Sequence, residues 1–171
     1  FRAPPQPGIV PVLSQVGSAL KPGALVISFA PGANLAAMRR AAPDGVSLAR
    51  VMPNTPTEVG CGMNVFCCEA TVGPEARALL QEVLDVWGRS MEVDEGLINA
   101  CCALLAVGPT YLFPLVGQLI DSAATAGLSP EQARAATAGL FRGVGAIVEQ
   151  TSRSPEELQN MISMQPMDAP A

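Results

Sequence analysis

Apolar positions along the chain fall into two regimes that meet near Val93. In the first, Ile9, Val12, Leu13, Val16 and Leu20 have helical spacing, and Lys21-Pro22-Gly23 ends that run. Ala24 to Phe29 is a short, almost uninterrupted apolar run, the pattern of a strand buried on both faces. After Pro31-Gly32, Asn34 is placed to cap a short helix to about Arg40. Val46 to Met52 reads as a second strand entering the turn Pro53-Asn54-Thr55-Pro56. Met63 to Cys68 predicts a third strand. Pro74 to Trp87 predicts an amphipathic helix with proline in its first turn, and Met91-Glu92-Val93 a short last strand. Strands and helices thus alternate, which predicts a mostly parallel sheet covered by helices over 1–93.

From Asp94 onward the strand signal stops, and 94–171 reads as all-helical. The expected elements are one long apolar helix from Leu97 to Ile120, a second capped by Ser129-Pro130-Glu131, and a third opened by Ser154-Pro155-Glu156-Glu157. Asp94-Glu95 reads as acidic capping of the first of these, at the positive end of the helix dipole. A helix apolar on all sides needs cover on all sides, and two further helices do not supply it. An isologous pairing with a second copy of the chain is the expected cover. Gly96 to Ile120 has no charged residue and is long enough to span a bilayer. It contains Gly108-Pro109, Asn99 and Gln118 and has no close flanking Lys or Arg, so it reads as a buried helix of a soluble protein and not as a membrane span.

Composition then removes several kinds of chemistry. The net charge of −5, with Lys21 as the only lysine and the arginines scattered, argues against a nucleic-acid partner. Arg39-Arg40 is the one basic pair and reads as a solvated helix end. With no histidine, Ser-His and Cys-His nucleophiles and histidine metal sites are excluded. Cys61, Cys67, Cys68, Cys101 and Cys102 lack C-x-x-C spacing, so neither a metal site nor a disulfide scaffold is expected. Small buried thiols in a reducing cytoplasm fit better. The chain opens at Phe1 with no initiator Met and no signal-peptide pattern, and reads as part of something longer.

Arg50-Val51-Met52-Pro53-Asn54-Thr55-Pro56, with Gly60 and Gly62 after it, and Gly108-Pro109-Thr110-Tyr111 further on, resemble motifs of the pyrroline-5-carboxylate reductase family. Ile27 to Gly32 resembles that family's strand and Ala-Ala-Gly loop, and Ala3-Pro4-Pro5-Gln6 its Val-Lys-Pro-Gln. The resemblance extends over essentially the whole chain. It implies the second half of a Rossmann-type domain in 1–93, a helical dimerisation and substrate domain in 94–171, and a homodimer or higher homo-oligomer. It also implies NADPH or NADH as cofactor and a cyclic imine as substrate. Two departures stand out. No G-x-G-x-x-G turn is present to seat a pyrophosphate. The family's Ser-Pro-Gly-Gly-Thr-Thr carboxylate loop is replaced by Met164-Gln165-Pro166-Met167-Asp168-Ala169, where proline has no N–H to give.

The resemblance points to Pro5, Ala30, Gly32, Met52, Asn54 and Thr55 as cofactor-binding residues, since loops after parallel strands converge where ligands bind. The competing reading makes Pro53 and Pro56 a rigid turn with Asn54 as its cap. Gly108 and Ser163 are the substrate candidates. Cys102 stands where the family has a threonine proposed to help protonate the imine nitrogen, and Tyr111 is the other candidate proton donor. Core packing competes as a role for Cys102, and an interface role for Tyr111. A non-catalytic oligomerisation module and a reductase of a different imine are the alternative functions.

Overall fold

The computed structural model describes residues 8–30 and 32–163. The chain forms two compact units, Phe1–Tyr111 and Leu112–Ala171.

The first unit is built on a four-stranded sheet in the order β1 (Leu25–Ser28), β2 (Ser47–Met52), β3 (Gly62–Cys68), β4 (Gly88–Glu92). β1 and β2 are parallel, β3 and β4 are parallel, and β2 pairs with β3 antiparallel. The two parallel steps are crossovers through α2 (Leu35–Ala41) and α3 (Pro74–Asp85). Residues 53–61 hold only a 3-10 turn, too short for a crossover helix, so β3 returns antiparallel to β2.

Side-chain alternation along β2 and β3 splits the core into two layers. On one face Leu48, Val65 and Cys67 pack with Leu13 of α1 (Ile9–Val16), Leu35 and Met38 of α2, and Ile98 of α4 (Ile98–Cys101). On the other, Ala49, Val51 and Phe66 meet Leu80 and Leu84 of α3. Met38, Leu48, Leu80 and Leu84 are fully buried, and each such side chain contributes about 2 kcal/mol. Because Ile98 is buried and Cys101 and Leu105 pack against the first layer, this unit continues past the last strand.

Local signals act as their chemistry requires. Asn34 Oδ1 accepts the Ala37 N–H at 2.7 Å and caps α2. Arg39 departs from the solvated helix end expected of it. Its Nε and Nη2 donate to the two carboxylate oxygens of Glu69 at 3.0 and 2.7 Å, and Nη2 also reaches the Val46 carbonyl. That bidentate pair raises the Arg39 pKa, against a smaller opposing effect of burial. α3 ends at Asp85, short of the expected Trp87, and the strand that follows starts at Gly88, ahead of the expected Met91.

The long helix expected over 97–120 is interrupted. A 3-10 turn over Glu95–Leu97 leads into α4, a wider π-type turn covers Cys102–Ala106, and α5 runs Gly108–Thr125. Pro109 has no N–H to give the Leu105 carbonyl, and its ring crowds that oxygen. The Val107 N–H bonds instead to the Cys102 carbonyl at 3.1 Å. Glu95–Thr125 is long and apolar enough to cross a membrane by length and composition.

The second unit holds the rest of α5, then α6 (Pro130–Gln150) and α7 (Pro155–Ser163). Ser129 and Gln132 form a full capping box at the start of α6. Ser154 Oγ and Glu157 exchange the equivalent bonds at α7. Leu112, Phe113, Leu115, Leu140, Val144, Ile147 and Val148 are exposed, the last four at i, i+4, i+7 and i+8 on α6.

Candidate functional site

β1 and β2 run parallel, so the loops that leave them, 29–34 and 53–61, emerge at one edge of the sheet. A hollow of about 810 Å³ opens at this edge, lined by Phe29, Pro53, Asn54, Thr55, Thr57, Glu58, Gly60, Val86 and Trp87. Its apolar wall includes Phe29 and Trp87, with ring centroids 5.2 Å apart and planes tilted by 53°. Asn54, Thr55, Thr57 and Glu58 provide its polar groups, and among the described residues no Lys or Arg lines it. A planar, mainly apolar ring with a few edge acceptors suits such a wall.

Each polar group has its local reason. Asn54 Oδ1 accepts the Met63 N–H at 2.9 Å, which fixes the start of β3 against the loop. The Asn54 Nδ2 amide is left as a donor for a ligand, beside the second lone pair of Oδ1. Thr57 Oγ1 donates to Asn64 Oδ1 at 3.1 Å, and fully buried Asn64 donates in turn to the Arg89 carbonyl at 3.2 Å. Gly60 closes the 3-10 turn in the left-handed region, at φ 68°. Thr55 is exposed and lines the hollow.

Of the residues singled out from the sequence, Asn54 and Thr55 line this hollow. Ala30 sits just after β1, and its N–H reaches Ser28 Oγ at 3.3 Å. Gly32 is exposed with φ 85°. Met52 ends β2 and packs into the first core layer, not into the hollow. Cys102, half-buried, opens the π-type turn, Gly108 starts α5, and Tyr111 is 66% exposed. None of these three lines the hollow. Pro5 lies outside the described residues, as does the side chain of Ser163, the last residue of α7. Phe29, Val86 and Trp87 went unmarked in the sequence. They read there as strand end and helix end, and only the fold brings them together at the 53–61 loop.

Beneath the edge lies an ionic cluster. The Arg50 side chain is 8% exposed, and its Nη1 donates to Glu95 Oε1 at 2.7 Å. The same oxygen accepts the Leu35 N–H, also at 2.7 Å. Glu95 therefore caps α2 and not the helix it precedes in sequence, while the Asp94 side chain makes no capping bond. Cys67, beside this cluster, has its thiol pKa pushed up, first by burial and then by the Glu95 charge, with Arg50 opposing. Burial likewise pushes up Cys68. All five cysteines are free, and no group of metal-ligating side chains occurs among the described residues.

A half-sheet with a ligand-sized hollow at its carboxyl edge, followed by helices, defines a Rossmann-type α/β part joined to a helical part. The family model for pyrroline-5-carboxylate reductase dimerisation matches residues 95–165. The chain is 33% identical over 158 residues to the pyrroline-5-carboxylate reductase of Corynebacterium melassecola, covering 91% of this chain and 58% of that protein. It is 30% identical to the reductase of Escherichia coli (strain K12), covering 92% and 59%. Among solved structures, a pyrroline-5-carboxylate reductase from Coxiella burnetii superposes with a TM-score of 0.77 at 26% identity, covering 92% of this chain and 59% of that one. The Plasmodium falciparum pyrroline carboxylate reductase, solved with NADP bound, has a TM-score of 0.76 at 24% identity, covering 92% and 62%, and shares the fold. Residues 95–165 thus match the dimerisation domain of pyrroline-5-carboxylate reductases, and about nine-tenths of the chain is similar to proteins of that family. The chain spans about 58% of the length of the curated relatives it matches.

Proposed function

We propose that this chain contributes to an NAD(P)H-dependent reductase of the pyrroline-5-carboxylate type. Hydride passes from a dihydronicotinamide to the C=N carbon of a cyclic imine, and a proton ends on the nitrogen, giving the cyclic amine. In the family's reaction that amine is proline. The observation that carries this reading is the Arg50-to-Pro56 segment, which ends β2 and brings Asn54 and Thr55 to the hollow at the carboxyl edge.

The described residues fit one part of the cofactor. Their contribution is a flat apolar wall with the Asn54 amide and the Thr55 hydroxyl as orienting donors. Among the described residues no strand-to-helix turn has the glycine spacing of a pyrophosphate cradle. The bound cofactor supplies the hydride. In this reading residues 1–93 form the cofactor half and 94–171 the dimerisation and substrate half. The Tyr111 hydroxyl or the Cys102 thiol passes the proton to the imine nitrogen, and Gly108 and Ser163 hold the substrate carboxylate. A protonated imine is already electrophilic, so the absence of histidine is no obstacle.

The exposed apolar residues of α5 and α6 support a homo-oligomer, with a second copy covering them, in a soluble cytoplasmic protein. Neither a membrane nor a nucleic acid has a part in this reading. A second reading, a non-catalytic oligomerisation module, is favoured by one observation: the segment before α5 reads Cys102 to Val107, with no hydroxyl side chain. The test is NADPH or NADH oxidation by the purified protein with 1-pyrroline-5-carboxylate. Imine-dependent turnover supports the reductase, and a stable oligomer with no turnover on any cyclic imine leaves the second reading.

A further inference from the structure

Three elements far apart in sequence meet at one carboxylate oxygen. Glu95 Oε1 binds Arg50 Nη1 of β2 and the Leu35 N–H at the start of α2, each at 2.7 Å. Arg50 is buried, and a buried guanidinium is tolerable only when paired. Glu95 is also the first residue of the segment that the dimerisation family model matches.

What this oxygen holds in place is the loop between β1 and α2. At one end of the loop the Ala30 N–H is tied to Ser28 Oγ, and at the other Leu35 is tied to Glu95. Between them Gly32 occupies the left-handed region, a conformation that other residues rarely adopt. α2 is short, and the Asn34 side chain is committed to Ala37, so the Leu35 N–H has Glu95 as its side-chain partner.

We infer that Glu95 is a positioning residue: through Leu35 and Arg50 it sets where Gly32 to Asn34, which lead into α2, lie at the carboxyl edge, and so governs cofactor affinity. The inference rests on the reductase reading for its functional half, while its structural half stands without a cofactor. Glu95 touches neither cofactor nor substrate in this role. It acts at the loop, so its loss is expected in the KM for NADPH and not in kcat.

The experiment compares wild type with E95A and E95Q, using amide hydrogen exchange followed residue by residue, and NADPH oxidation kinetics. In E95A the Leu35 amide is expected to exchange about tenfold faster, the scale of losing one bond to a charged acceptor. The amides of β2 and β3 should lose less protection than Leu35, although Arg50 of β2 also loses its partner. E95Q keeps an acceptor for Leu35 but leaves Arg50 without a counter-charge, so intermediate exchange is expected. The KM for NADPH should rise about tenfold in E95A with kcat within about twofold. Unchanged Leu35 protection, or loss of protection spread evenly over the sheet, overturns the inference. So does a fall in kcat with KM unchanged. Should E95A fail to fold, E95D takes its place, with the Leu35 exchange rate and the KM judged by the same criteria. A wild-type protein that does not turn over NADPH defeats the reductase reading, and the exchange rates then decide the positioning role alone.

Discussion

Gly62 and Gly88 open β3 and β4 as their first register pair, so close that a Cβ on Gly88 would lie 2.3 Å from the Gly62 carbonyl oxygen. A Cβ on Gly62 would meet Thr57 Oγ1 at 2.2 Å and the Trp87 carbonyl at 2.8 Å. Gly88 also has φ 129°, outside the range that L side chains favour. The contact closes the sheet edge beneath the hollow, and the Gly62 N–H donates to the Trp87 carbonyl at 2.9 Å. Gly88→Ala is therefore expected to cost about 2–4 kcal/mol, from backbone strain and overpacking together. Urea unfolding measures the loss, and Trp87, the only tryptophan, should show a shifted emission maximum in the folded state.

Asn54 combines a structural bond with a proposed ligand contact, and two substitutions separate them. Asn54→Ala removes the acceptor for the Met63 N–H and is expected to destabilise by about 1–3 kcal/mol. Asn54→Asp keeps an acceptor for that N–H but replaces the Nδ2 donor with an oxygen. If Asn54 orients the nicotinamide, Asn54→Asp should retain most of the stability while weakening NADPH binding, as measured by thermal unfolding and by cofactor titration. Equal NADPH affinity in wild type and Asn54→Asp would reduce Asn54 to a turn cap.

The cysteines differ in setting, and their reactivity with a thiol reagent should follow it. Cys61 is exposed, whereas Cys67 is buried with a raised pKa, and Cys68 is raised as well. Cys61 should be labelled first and Cys67 only on unfolding. The sign of the pH dependence follows from the same shifts. A thiol whose folded pKa exceeds its unfolded value keeps its full contribution below the unfolded pKa, about 8.5. Above that value the unfolded chain releases protons first, so stability falls as the pH rises toward the raised folded pKa. Unfolding midpoints measured upward from neutral pH should decline above that point, and less steeply in a Cys67→Ala, Cys68→Ala double variant.

If a second copy covers the apolar side chains of α6, a charge placed among them should oppose association. Val144 is 55% exposed within one chain, so Val144→Asp is expected to leave the isolated chain nearly as stable. It should weaken the homo-oligomer by about a hundredfold or more in Kd, since it buries an unpaired carboxylate. Light scattering after gel filtration reads the outcome, and an unchanged mass in Val144→Asp would mean that α6 lies outside the contact.

Much of the fold was legible because its signals are local. Asn34 and Ser129 cap the helices they precede, and the short apolar runs became β1, β2 and β3. Signals that depend on a distant partner were not legible. Glu95 looks like a cap for its own helix and instead serves α2, and Arg39 looks solvated and instead grips Glu69. The break in the apolar helix lies between, since Pro109 stands in plain view but the π-type turn that accommodates it depends on how the Cys102 carbonyl is bonded. At the hollow, Asn54 and Thr55 were marked by their motif, whereas Phe29 and Trp87 gained significance only by meeting.

The sequence by itself determined the likeness to pyrroline-5-carboxylate reductases, through the Arg50-to-Pro56 and Gly108-to-Tyr111 motifs, and the change from alternating strands and helices to helices alone, because spacing and turn chemistry act over a few residues. The tertiary structure alone decided that Phe29 and Trp87 wall a hollow and that one Glu95 oxygen joins β2 to α2. Both facts depend on contacts between residues tens of positions apart, and no local periodicity encodes which distant donor a carboxylate will find.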